Sequence, residues 1–61
     1  MNKTWQWVII RIDVYPYLIK EYCDSMALAC RICETLNFQN SKEIYSYCHV
    51  NESVFKKDVQ K

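Results

Sequence analysis

Cys23, Cys30, Cys33, Cys48 and His49 are the residues whose types and spacing bear most directly on chemistry. The pair Cys30 and Cys33, with Cys48 or His49 as further donors, offers the ligand types of a structural zinc site, which takes four in a tetrahedron. The same Cys-x-x-Cys spacing at a helix N-terminus suits thiol–disulfide exchange, because the helix dipole there favours the thiolate. The surrounding residues favour neither chemistry. Zinc-binding pairs sit on tight turns, whereas this one lies in ALACRICETL, a run of strong helix formers without a turn residue. Cys30 then falls well inside a helix, away from the end where the dipole acts. The cysteines are therefore read as buried free thiols behaving as small hydrophobes. Cys30, Cys33, Cys48 and His49 stand only as the metal alternative, and no cofactor is expected.

Cys48 and His49 do not form a nucleophile–base dyad with each other. Adjacent residues in a strand point to opposite faces, and in a helix they diverge by about 100°. The chain has no glycine, so a Gly-rich phosphate-cradling loop is excluded. No catalysis is expected.

Positioning these side chains falls first to residues 17–37, YLIKEYCDSMALACRICETLN. At helical spacing Ile19, Tyr22, Met26, Ala29, Cys33 and Leu36 form one stripe, with Cys23 and Cys30 on its flank. Leu28 and Ile32 widen the apolar arc, and Asn37 is placed to close the helix. Ahead of it, residues 4–14 alternate as a strand, with Val8, Ile10, Ile12 and Val14 on one face. Trp5, Trp7, Ile9, Arg11 and Asp13 share the other, and Pro16 ends the strand. Residues 40–43 resemble a capping box, predicting a helix start, yet 43–50 (EIYSYCHV) alternate as a second strand. Residues 52–60 suggest a short helix.

The expected fold is α+β, a single small domain over residues 1–61: strand, long helix, strand, short helix. The helix is expected to cover the aliphatic strand face. The two-stranded sheet would be extended across a homodimer, since two strands alone make a weak sheet. The alternative is one strand followed by two or three helices.

Composition narrows the partners. Of 61 residues, 51% are hydrophobic and 15% aromatic, generous for a chain that buries only about 60% of its unfolded surface. Apolar surface is left over for another chain. Eight Lys and Arg against seven Asp and Glu give a net charge of +1, without the basic excess of nucleic-acid binders. The apolar run 7–10 is too short for a signal peptide and is broken by Arg11 and Asp13. No segment approaches the ~20 apolar residues that span a bilayer. Thiols within a helix-forming run, without turn residues, suit a reducing cytoplasm.

On the strand face away from the helix, Trp5, Trp7, Tyr45 and Tyr47 would form an aromatic platform suited to a protein partner, where aromatic residues dominate binding energy. Leu28, Ile32 and Arg31 form a second patch on the helix. If residues 43–50 were helical, the order strand, helix, helix would resemble the ribbon-helix-helix repressors. That resemblance implies paired strands entering the major groove, here offering Gln6, Arg11 and Asp13. The expected function is a non-catalytic intracellular protein, a homodimer, that binds and inhibits or otherwise modulates another protein. The abundance of Lys, Asn, Ile and Tyr suits an AT-rich source such as a phage or mobile element.

Overall fold

Val8, Ile9 and Ile10 follow one another with no polar residue between them, so the first strand is apolar on both faces. Such a strand needs cover on both sides, and that requirement organises the fold. The computed structural model describes residues 6–60. Strand β1 (Trp7–Arg11) lies at the centre of an antiparallel sheet between β2 (Leu18–Cys23) and β3 (Tyr45–His49), in the order β2-β1-β3. Helix α1 (Met26–Gln39) covers one face. A π-helical turn, Val54–Asp58, and its neighbours cover the other. The result is a small α+β domain.

Two apolar clusters sit on either side of β1. On the helix side, Ile9, Cys23, Ala29, Cys33 and Tyr45 are buried, with Trp7, Ile32, Leu36 and Tyr47 packed against them. On the opposite side, Val8, Ile10, Cys48 and Val59 are buried beneath Tyr17, Ile19, Val50, Val54 and Phe55. Val59 forms a parallel bridge with Tyr17, bringing the end of the described chain to the β2 side of the sheet. The Tyr15–Pro16 peptide between β1 and β2 is cis, and no described residue has positive φ.

Four expectations are corrected here. The helix predicted for residues 17–37 is a strand followed by a shorter helix. Ser25 begins the helix: its backbone is still extended (φ −141°, ψ 158°), as at an N-cap, and its Oγ accepts the Leu28 N–H at 3.2 Å. The sheet has three strands rather than two, because residues 18–23 pair with β1 instead of continuing the helix. The helix also runs past Asn37 to Gln39, and Asn40 closes it: the backbone N–H and Nδ2 of Asn40 both donate to the Leu36 carbonyl. Asn40 is thus a helix end, not a start. Finally, α1 covers the face of Trp7, Ile9 and Tyr45, so the aromatic face is the covered one. Residues 43–50 do contain the second expected strand, β3. The condition for the ribbon-helix-helix resemblance, a helix there, does not hold.

Candidate protein-interaction surface

The burial of each predicted partner-binding residue follows from the face it occupies. Tyr45 is 5% exposed and belongs to the helix-side core. Trp7 and Tyr47 are half-buried, their ring centroids 6.1 Å apart, and the Trp7 ring meets His49 edge-on at 5.0 Å. These three aromatic residues enlarge the core and do not form an open platform. Trp5 lies outside the described residues. Ile32 is half-buried against the same core, whereas Leu28 (43% exposed) and Arg31 face solvent.

The cysteines divide between the two clusters. Cys33 and Cys23 lie on the helix side of the sheet and Cys48 on the other, so the sheet separates Cys48 from the Cys30–Cys33 pair. Among the described residues no group of three His, Cys, Asp or Glu is placed to share an ion. Burial raises the thiol pKa of Cys23, Cys33 and Cys48, which disfavours the nucleophilic thiolate. Cys30, half-buried, lies 3.7 Å from Glu34 Oε2. Cys30 lies beside the Tyr47 hydroxyl, and this proximity raises the tyrosine pKa. All four thiols are free.

Charge at the far end of the sheet is spent internally. Arg11 grips Asp13 with two hydrogen bonds, Nε–Oδ1 at 3.0 Å and Nη2–Oδ2 at 2.7 Å. That bond holds the Asp13 carboxyl down at about 2. Arg11 also lies 3.8 Å from Glu43, which accepts a hydrogen bond from the Tyr45 hydroxyl and raises its pKa. The Gln39–Glu43 segment nearby encloses an open hollow of about 270 Å³, lined by five consecutive residues with no side chain converging from elsewhere.

The outer edge of β3 is closed at Tyr45 and His49. The Ile12 N–H donates to Ile44 O and the Val50 N–H to Gln6 O, both at 2.9 Å, so even-numbered β1 residues bond to β3. Tyr45, Tyr47 and His49 therefore turn their peptide groups outward. Asn37 closes Tyr45: its Oδ1 accepts the Tyr45 N–H at 2.7 Å and its Nδ2 donates to the carbonyl at 3.0 Å. Glu52 closes His49 in the same two-point way, its Oε2 accepting the His49 N–H at 2.8 Å and its own N–H donating to His49 O at 3.0 Å. Such capping blunts an edge that would otherwise recruit another strand.

Helix α1 has two flanks and an outer side. Cys30 and Asn37 reach β3 residues, so the opposite flank, carrying Leu28 and Ile32, lies over β2. Arg31 and Phe38, seven residues apart, share the outer side, and Phe38 is 91% exposed. Sequence reasoning missed Phe38 because the helix was expected to end at Asn37. Its place opposite the apolar stripe, once the helix is extended by two residues, is the signal that was available. Among the described residues no helix is long and apolar enough to cross a membrane.

Comparison with protein-family models, with curated proteins and with solved structures finds no match to this chain.

Proposed function

We propose that this chain is a non-catalytic interaction module, a homodimer that binds and modulates another protein through the outer side of α1. The observation that carries this reading is Phe38, a 91% exposed aromatic ring on the same helix as exposed Arg31 and Leu28. Single exposed apolar residues need no explanation, but a helix presenting a ring, a guanidinium and a leucine offers the anchors that dominate protein interfaces. The partner surface that fits is an apolar pocket for the ring with a carboxylate near its rim for Arg31. The near-neutral charge, +1, favours a protein over a nucleic acid. Inhibition of a cytoplasmic target, by a protein encoded on a phage or mobile element, is the setting that composition suggests.

The test is affinity capture from a bacterial lysate with wild-type, Phe38→Ala and Arg31→Glu proteins. The wild type is expected to retain one protein stoichiometrically, and Phe38→Ala to bind it about thirtyfold more weakly with the fold intact. The reading fails if the wild type retains nothing stoichiometric, or if both variants retain as much as the wild type.

A further inference from the structure

Sheet extension meets obstacles at both edges. Asn37 and Glu52 occupy the outward peptide groups of Tyr45 and His49 on β3. Just before β2, the Tyr17 N–H donates to Asp58 O and Tyr17 O accepts the Gln60 N–H, each at 2.8 Å. The outer side of α1 is open by contrast. Ala27, Arg31, Glu34 and Phe38 are all exposed there. They recur at intervals of four, three and four residues, the spacing of a coiled-coil seam. At about 100° per residue they share an arc of about 60°, opposite the buried Ala29 and Cys33.

We infer that α1 pairs antiparallel with α1 of a second copy along this stripe, about a two-fold axis level with the peptide between Ile32 and Cys33. The inference rests on the dimeric part of the reading above and deepens it. A second copy holds the outer side of α1 in the resting dimer, and a target takes that side by displacing the copy.

The first argument is charge. Arg31 and Glu34 stand at equal distances on either side of the axis, so each Arg31 comes level with Glu34 of the other copy, twice over. Neither residue belongs to an ion pair among the described residues. The Cys30 thiol, 3.7 Å away, is a weak neighbour for the Glu34 carboxylate. A parallel, in-register pair would instead set Arg31 against Arg31 and Glu34 against Glu34. Charges along such a seam fix the orientation of the helices in this way. The low net charge, +1, leaves little general repulsion between copies.

The second is size. Ala27 and Phe38 are also equidistant from the same axis, so each ring lies over the alanine of the other copy. Helices pack with their axes about 8–10 Å apart, and a small residue opposite a large one lets the two surfaces interdigitate at that distance. Phe38, 91% exposed in one copy, thereby gains cover at both ends of the seam. One register satisfies the charged pair and the large–small pair together, which an unrelated surface has no reason to do.

The apolar clusters on both faces of the sheet are built within a single chain. The pair therefore dissociates on dilution to folded monomers, whose stability does not depend on Phe38.

The experiment is native mass spectrometry and sedimentation equilibrium of the full chain over a range of concentrations, under reducing conditions, with circular dichroism on every variant. Wild type is expected to dimerise. Arg31→Glu alone and Glu34→Arg alone each set like charges level with one another and should weaken dimerisation at least about tenfold with the fold kept. Phe38→Ala should weaken it by a similar factor. An equimolar mixture of the two charge variants should form a 1:1 heterodimer, and the double exchange in one chain should restore the homodimer. A wild type that stays monomeric overturns both this seam and the dimeric part of the functional reading. A dimer that neither single exchange weakens overturns the seam alone, as does failure of the mixed variants to pair. Target capture is read separately with the double exchange: the seam keeps this variant dimeric, whereas a target that needs the Arg31 guanidinium is lost. Failure of the wild type to capture a target, with the dimer responding to charge as stated, overturns the target reading and supports the seam.

Discussion

Arg11 and Asp13 lie two residues apart and hold one another across an exposed strand end. With the bonded carboxyl at about 2 against an ordinary value near 3.8, the folded state favours the charged form. The resulting stabilisation is fully present above pH 4 and is lost as pH falls towards 2. NMR titration of the Asp13 side chain should show a midpoint near 2 in the wild type and one close to 4 in Arg11→Ala. A midpoint that ignores the substitution would show that something other than the guanidinium holds the proton off. The thiols make a second prediction at this scale. Cys23, Cys33 and Cys48 are buried and Cys30 is half-buried. A disulfide reagent should therefore label Cys30 first in the native protein, and the other three only after denaturant is added. Simultaneous labelling of all four would contradict that order. The interpretation of the cysteines as core thiols came from local composition, and for three of them their burial agrees. The packing of Trp7, Tyr45 and Tyr47 on the face beneath α1 could not be foreseen from alternation alone, because alternation defines two faces without saying which one a helix covers.

At the scale of elements, Ser25 decides where strand ends and helix begins. Its signal was present as Asp24-Ser25 ahead of a helix-forming run, but Leu28 stands where a capping box would have Glu, and the 3.6-residue stripe ran straight through it. Residues 18–23 fit a helical wheel in isolation; antiparallel pairing to β1 wins because the central strand needs a neighbour on each side. Ser25→Ala should lower stability by about 0.5–2 kcal/mol in urea denaturation and fray the first turn of α1. An unchanged midpoint would remove Ser25 from this role. Asn37 illustrates the opposite error, a residue assigned to end a helix that instead pins α1 to β3. Asn37→Ala leaves the peptide groups of Tyr45 unpartnered, at a cost of about 1–3 kcal/mol. Hydrogen exchange should show the Tyr45 amide losing protection first; uniform loss across β3 would mean the residue acts only through global stability.

For the whole molecule, the three-layer arrangement concentrates stability on β1. Ile9 is fully buried between helix and sheet. Ile9→Ala should cost about 2–5 kcal/mol, much of the stability of a domain this small. Phe38→Ala, at the same scale, should move the denaturation midpoint by less than about 0.5 kcal/mol. The contrast separates apolar residues that build the fold from those it leaves outside, and comparable losses at both sites would erase that distinction. The α+β class and β3 were legible because alternation and β-branching are local signals. The sheet order β2-β1-β3 was not, since it depends on which segments meet rather than on what each prefers.

The backbone that makes all of these turns does so without a glycine and without a described residue at positive φ. One consequence concerns the unfolded chain. Glycine is the residue with most conformational freedom to lose, so its absence lowers the entropy that folding must overcome. Another concerns mutagenesis. At every described position a Cβ already fits, so alanine scanning across residues 6–60, Pro16 with its ring-bound backbone aside, would measure what each side chain contributes beyond its first carbon.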